Sequence, residues 1–289
     1  MSTYPNLVYT DAEKFVYYVP EGAGNYGVTP IGAATNWFLP GVRSNFENGL
    51  DRSTVKIVPG GSRDVAFREK GQKKLDFNID FHMQNNTFLD LVRTLASFST
   101  VAYFTKGGTP DVYLHKGCII DKATVSTGID NPITVKTASI SQDLVIGTTH
   151  PTNQVYPSEP GASPKMWDDS DVVWGTDINL HGALTDWSFT INNNLQRIPV
   201  IRSTNGDMLL YLAERARVIA GELTVLYVDS TFMAAIKAMT EADLVITIAG
   251  VGTYTLGSVA FDSGRYSSKP PAETVAQRLP FTAKTYAFA

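Results

Sequence analysis

The sequence predicts a mainly β protein with one helix per repeat, arranged as two tandem domains. Two observations carry this. Lys74–Met83 alternates strictly: Leu75, Phe77, Ile79, Phe81 and Met83 share one face, and Lys74, Asp76, Asn78, Asp80 and His82 the other. That is the period of a strand with one buried and one wet face. The order strand, helix, strand, strand over Gly71–Ile120 then recurs over Gly221–Phe261. The displacement is 150 residues from Gly71 to Gly221 and 144 from Phe88 to Phe232. A repeat near half the chain length is the mark of a duplicated domain. Two copies of one small unit suit assembly geometry better than a single catalytic pocket.

Residues 1–36, rich in Pro, Gly, Tyr and Asn, read as an extended N-terminal arm holding at most one short strand. The first domain spans 37–147. Its early strands are Trp37–Leu39 and Val55–Val58. Between them the mixed-charge stretch Arg43–Arg52, with its Asn48-Gly49 turn signal, reads as an exposed loop. Beyond the alternating strand, Phe88, Leu89, Leu91, Val92 and Leu95 recur at helical spacing. Asn86 or Thr87 supplies the cap, and Asp90 lies in the first turn. Val101–Phe104, Val112–Leu114 and Ile119–Val125 follow as short strands separated by turns, and Ile133–Ile146 closes the domain as one long strand. Residues 148–173 contain Pro151, Pro157, Pro160 and Pro164, then Asp168, Asp169 and Asp171. Prolines at that density break regular elements, so the stretch reads as a linker.

The second domain spans 174–289. Trp187–Ile191 is a strand followed by an Asn192–Asn194 turn. Leu223, Val225 and Tyr227 alternate. Phe232, Ala235, Ile236 and Met239 give a second helix, capped by Asp229 or Ser230. Strands follow at Leu244–Ile248, Tyr254–Leu256 and Val259–Phe261, with Val275–Phe288 closing. Met208–Arg217 has a helical composition. The repeat sets it opposite extended residues of the first half, so it is read as extended.

The chemistry of the chain is sparse. Twenty-four basic residues face twenty-eight acidic ones, which argues against a broad nucleic-acid-binding stripe. The lone Cys118 excludes an intrachain disulfide and any multi-cysteine metal site, and suits a reducing compartment. It reads as a small buried hydrophobe. The N-terminus shows no signal-peptide pattern. Leu244–Phe261 is uncharged over eighteen residues, yet it alternates and holds three glycines, which points to paired strands and not a membrane span. Gly22, Gly24 and Gly27 have dinucleotide-type spacing, but no buried strand precedes them and Pro30 follows. His82, His115, His150 and His181 share no ligating spacing and read as solvated. Asp76 and Asp80 stand about 13 Å apart along their strand, too far for acid–base partnership. No catalytic, metal or cofactor-binding residue is assigned, and the chain is read as a non-enzyme.

Five stretches carry a resemblance that spans most of the chain. They are NYGVTPIGAATNWF, GQKKLDFNIDFHMQNNTFLDLVR, WSFTINNNLQRIPVI, AGELTVLYVDSTFMAAI and QRLPFTAKTYAF. With the extended arm and the repeated element order, the chain resembles the major tail tube proteins of long-tailed phages and related viruses. The resemblance implies that each domain is a β-sandwich or partly closed barrel flanked by a helix. Units would pair sheet edges in a ring, and the rings would stack into a hollow tube conducting viral DNA. The implied partners are other copies of the chain, the tail terminator, distal tail and tape measure proteins, and DNA passing non-specifically. The implied location is the virion tail, assembled in the host cytoplasm. Tubes built from single units have six-fold rings, so a two-unit chain implies homotrimeric rings with pseudo-six-fold symmetry. The arm, Arg43–Arg52 and Pro157–Asp171 are expected to order only against neighbouring subunits. Two other readings remain open at this point: another tail or baseplate hub protein, and a carbohydrate-binding β-sandwich.

The channel of such a tube must let DNA slide, which favours acidic or neutral polar groups on its wall over Lys and Arg. The wet strand face supplies the candidates for lumen-facing residues: Asp76, Asn78, Asp80 and His82, with Glu222 and Thr224 from the second repeat. Lys74, Arg278 and Lys284 are the basic groups able to offset them.

Overall fold

A computed structural model describes residues 14–22, 25–31, 35–57, 67–106, 109–157, 162–175, 178–180, 183–198, 209, 211–226, 230–267 and 275–289. In chain order the first half holds β1 (Lys14–Pro20), β2 (Thr35–Asn36), β3 (Val42–Ile57), β4 (Phe67–His82), α1 (Thr87–Thr94), β5 (Phe98–Lys106), β6 (Thr109–Gly128), β7 (Thr134–Ile140) and β8 (Asp143–Gly147). Next come β9 (Gln154–Val155), a 3-10 turn at Trp167–Asp169, β10 (Ser170–Trp174) and β11 (Ile178–Asn179). The second half continues with β12 (Leu184–Asn192), β13 (Gln196–Ile198), β14 (Tyr211–Ala213), β15 (Val218–Leu226), α2 (Thr231–Ala238), β16 (Ala242–Ile248), β17 (Gly252–Phe261), β18 (Arg265–Ser267), β19 (Ala276–Ala283) and β20 (Thr285–Phe288).

A long antiparallel sheet runs β3-β4-β7-β6-β12-β15-β19 and crosses from one half to the other where β6 pairs with β12. One face is apolar and buried along its whole width, through Phe77, Ile79, Val135, Ala123, Val125, Trp187, Phe189, Ile191, Leu223, Leu279 and Phe281. Against that face lie two smaller layers, β1-β5-β6-β8 and β11-β10-β16-β17-β20. Val16, Tyr18, Phe98 and Ala102 of the first layer share one core with Phe77 and Ile79, and that core continues into the second half. Each large apolar side chain buried there contributes about 1.5–3 kcal/mol. That gain fixes the register, because a one-residue slip would turn the whole set to water.

The two halves use the same order. In the first, β4, α1, β5, β6, β7 and β8 follow one another; in the second, β15, α2, β16, β17, β19 and β20 do. β4 and β15 each end five residues before their helix. A single shift of 144 therefore carries both strand and helix, and Gly71 and Gly221 are not counterparts. The 150-residue displacement rested on a chance glycine match. By the true shift Glu222 corresponds to Asn78, and Thr224 to Asp80.

Several elements depart from the sequence reading. Arg43–Arg52 is no loop but the middle of β3, paired with β4 from Val42↔His82 to Ile57↔Phe67. An outer strand with one wet face carries charges without penalty, so its polarity imitates a loop. β6 joins Val112–Leu114 and Ile119–Val125 in one strand. His115-Lys116-Gly117 forms a bulge, with Gly117 at φ 59°. There β6 passes from the small layer into the long sheet. Ser258, at φ 51°, plays the same part in β17, which joins Tyr254–Leu256 and Val259–Phe261. The closing strands break at the matching places: Ser141-Gln142 separates β7 from β8, and Lys284 separates β19 from β20. In each, the second piece follows the bent neighbour, so Tyr113 pairs with Ile146 and Tyr254 with Phe288. Within Met208–Arg217, Tyr211–Ala213 form β14, while Leu209 and residues 214–217 take no regular structure. Val58 and Tyr227 lie outside the described residues.

The arm and linker are also more structured than expected. β1 pairs with β5 over seven residues and buries Val16–Val19, so this part of the arm belongs to the fold of the single chain. Tyr17, Trp37, Val101 and Val112 form a second small core, packed against Tyr103 and Tyr156. The Tyr17 hydroxyl donates to the Pro157 carbonyl at 3.2 Å. The stretch read as linker also contains β9, paired parallel with β2, and β10, paired with β16.

Candidate functional site

The face of the long sheet opposite the core is polar from edge to edge. Its side chains align in rows because antiparallel partners stand directly opposite one another. One row runs Glu47, Asn78, Ala138, Lys122 and Asn192. The next runs Asn45, Asp80, Lys136, Thr124, Thr190, Ala220 and Thr282. A third runs His82, Thr134, Ser126, Ser188, Glu222 and Pro280. All six residues selected from the sequence, Asp76, Asn78, Asp80, His82, Glu222 and Thr224, lie on this one face, exposed or half-buried.

Local contacts fix several of them. Asn78 Nδ2 donates to Glu47 Oε2 at 3.0 Å. The Arg197 guanidinium reaches over from β13 to pair with Asp76. Thr134 Oγ1 and His82 Nδ1 lie 3.3 Å apart. Glu222 and Arg278 approach to 3.9 Å in the open, where such a pair is worth little. At the seam between halves Thr124 Oγ1 and Thr190 Oγ1 share a hydrogen bond of 2.8 Å. The carboxylate of Asp186 fills the space that a side chain at Gly128 would need. Six carboxylates, Glu47, Asp51, Asp76, Asp80, Asp186 and Glu222, stand against Lys74, Lys122, Lys136, Arg278 and the overlying Arg197, an excess of one acid. Glu47, Asp51 and Asp186 were not picked out from the sequence. Glu47 and Asp51 sat in the supposed loop, and Asp186 just ahead of a strand predicted to begin at Trp187. The alternation in Lys122-Ala123-Thr124-Val125-Ser126 was visible and would have added β6.

The remaining candidates resolve into structural roles. His115 is not solvated but fully buried; its Nδ1 lies 2.9 Å from Ser141 Oγ, and burial lowers its pKa to about 3. His150 packs its ring on Tyr103 at 4.4 Å. Cys118 is buried and its thiol is pushed well up by desolvation, as suits a small hydrophobe. Gly22 and Gly27 take φ near +75° in a turn whose Gly27 N–H donates to the buried Glu21 carboxylate at 2.9 Å. His181 lies outside the described residues. Among the described residues no three metal-ligating groups cluster, and no helix is long and apolar enough to cross a membrane. Trp37, Trp174 and Trp187 are buried, and Trp167, 37% exposed, lies in the 3-10 turn and not on a strand face.

A family profile described as phage tail tube protein matches residues 12–283. The chain belongs to the phage tail tube protein family. Its role is that of a structural component of the virion tail, and its mainly β, largely antiparallel architecture accords with that family. No curated protein matches. Among solved structures, a chain from the virion of a native gene transfer agent particle aligns with 43% of this chain and 97% of its own, at 14% identity and a TM-score of 0.36.

Proposed function

We propose that this tail tube chain polymerises as stacked homotrimeric rings, whose hollow core conducts viral DNA. Domains 37–147 and 174–289 act as two copies of one unit, joined by residues 148–173, so that three chains give pseudo-six-fold symmetry. The observation that carries this reading is the seam between the halves. There β12, the outer strand of the second half, pairs with the later part of β6 from Asp186↔Gly128 to Asn192↔Lys122. The counterpart of β12 is β3, which ends the sheet order with β4 as its one neighbour among the described strands. The counterpart of the later part of β6 is β18, which pairs with β19 alone among the described strands. One edge of each kind is therefore left at opposite ends of the chain. Repeating the seam between chains pairs β3 of one copy with β18 of the next, a head-to-tail contact that closes as a ring. Leu50, 55% exposed, is the counterpart of the buried Ile191 and would be covered by that pairing. The ring would also protect two open strand edges.

Closing the sheet this way turns its core-facing side outward and its polar face toward the channel. Asp76, Asn78, Asp80, His82, Glu222 and Thr224 would then line the wall, with a mildly acidic balance that repels phosphate. Tail terminator, distal tail and tape measure proteins are the expected partners at the tube ends and within it. Analytical ultracentrifugation and negative-stain microscopy of the purified chain test the reading. Hollow filaments or trimers are expected; monomers at all concentrations would overturn it.

A further inference from the structure

The two helices hold matching places but differ in what covers them. α1 buries Phe88, Leu89, Leu91 and Val92. Its outer side is roofed by the second half of the chain. Asn193 Nδ2 donates to the Val92 carbonyl at 3.1 Å, and Arg217 Nη2 to the Arg93 carbonyl at 3.2 Å. The Tyr254 hydroxyl donates to Asn86 at the helix start. Tyr254 is in turn packed by Phe288, at a ring-centroid distance of 4.8 Å, and by Tyr286, at 6.2 Å. α2 has no buried residue, and Met239 at its end is 83% exposed.

The roof has its own counterpart. Tyr254 stands four residues before the left-handed Ser258 of its bulge, and Tyr113 four residues before the left-handed Gly117. Tyr254 pairs with Phe288 as Tyr113 pairs with Ile146. The first-half equivalents of Tyr254, Tyr286 and Phe288 are thus Tyr113, Leu144 and Ile146. Ile146 is 59% exposed, and Tyr113 and Leu144 are half-buried. Among the described residues the chain therefore has a helix without a roof at one end and a roof without a helix at the other. Exposed apolar groups clustered in this way mark a contact surface.

We propose that α2 of one copy docks under Tyr113, Leu144 and Ile146 of the next copy, as α1 docks under Tyr254, Tyr286 and Phe288 within the chain. The partner is a second copy of this chain, and the docking rests on the head-to-tail ring proposed above. Tyr113 is placed to meet Ser230, the counterpart of Asn86. Leu144 and Ile146 cover the side of α2 that carries Ala234 and Met239. Sheet edge and helix together make one interface, so a single geometry sets both.

Two single-cysteine substitutions test this in the full chain. Ser230→Cys and Tyr113→Cys are prepared separately, mixed, assembled and treated with a short bis-maleimide. Buried Cys118 is the background, checked on the wild-type chain. A covalent heterodimer is expected from the mixture, and none from either variant alone. Met239→Asp and Ile146→Asp provide an independent arm, since both sites are exposed and the monomer melting curve should stay unchanged. Each should raise the concentration needed for assembly by about tenfold or more. Rings that form without the cross-link, or assembly unaffected by both aspartates, would overturn the docking while leaving the ring intact. A wild-type chain that never assembles would remove the ring and the docking together.

Discussion

Glu21 offers the sharpest test of how the two layers of the first half are held. It is 2% exposed, yet no cation pairs with it among the contacts described. Its Oε1 accepts from Ser99 Oγ at 2.7 Å and from the Gly117 N–H at 2.8 Å, and its Oε2 from the Gly27 N–H at 2.9 Å. Gly117 is the corner where β6 leaves the small layer for the long sheet, so the carboxylate ties that corner to the turn after β1. Glu21→Ala strands these donors. A buried donor without a partner costs about 1–3 kcal/mol. Ser99 Oγ retains a second neighbour in Thr29 Oγ1 at 2.9 Å, and removing a buried charge returns part of the desolvation penalty. The net loss is then about 3 kcal/mol, a Tm drop of about 6–12 °C for a chain of this size. Glu21→Gln, which keeps one acceptor oxygen, should fall between. Thermal unfolding followed by circular dichroism gives the shift, and amide exchange at Gly117 and Gly27 localises it. A Tm change below about 2 °C for Glu21→Ala, with exchange at Gly117 unaltered, would refute the clasp.

Three further expectations follow from the same geometry. His115 stays neutral in the folded chain down to about pH 3, whereas the unfolded chain takes up its proton near 6.5. Stability from this residue is complete above pH 6.5 and falls by about 1.4 kcal/mol per pH unit below it. Denaturant titrations from pH 6 to 4 should show a shallower slope for His115→Gln, and equal slopes would contradict this. Deleting residues 1–20 should destabilise the monomer, because it removes β1 with Val16–Val19; a melting curve equal to that of the whole chain would count against the role of β1. Asp76→Lys with Asp80→Lys should leave tubes able to form but make them retain DNA, with retention weakening steeply as salt rises. DNA retention equal to wild type would mean that this face is not the channel wall.

What the sequence disclosed follows from where water lies. β4 was legible because one face is buried and the other wet over its full length, and α1 because its buried stripe is strong. β3 was missed because it ends the sheet: only Phe46 and its neighbourhood face the core, and its charges read as a loop. The repeat was hard to register for a packing reason. In the first half Phe77 stands opposite Ser139, but in the second Gly221 stands opposite Phe281, whose ring leans into the space a side chain at Gly221 would need. The aromatic bulk has changed strands, so equivalent positions differ in size although each pair holds one aromatic ring. The bulges at Gly117 and Ser258 hid two long strands as four short ones. The six polar residues fell on one face because alternation alone fixes it, while the continuity of that face across β6 and β12 depends on a long-range pairing that local pattern does not encode.

A reconstruction of the assembled polymer at side-chain resolution tests the central claim most directly. Three chains per ring are expected, with β3 of each paired antiparallel to β18 of the next and Asp76, Asp80 and Glu222 facing a hollow core. Six chains per ring, or a β3 edge left against solvent with those carboxylates on the outer surface, would contradict the account.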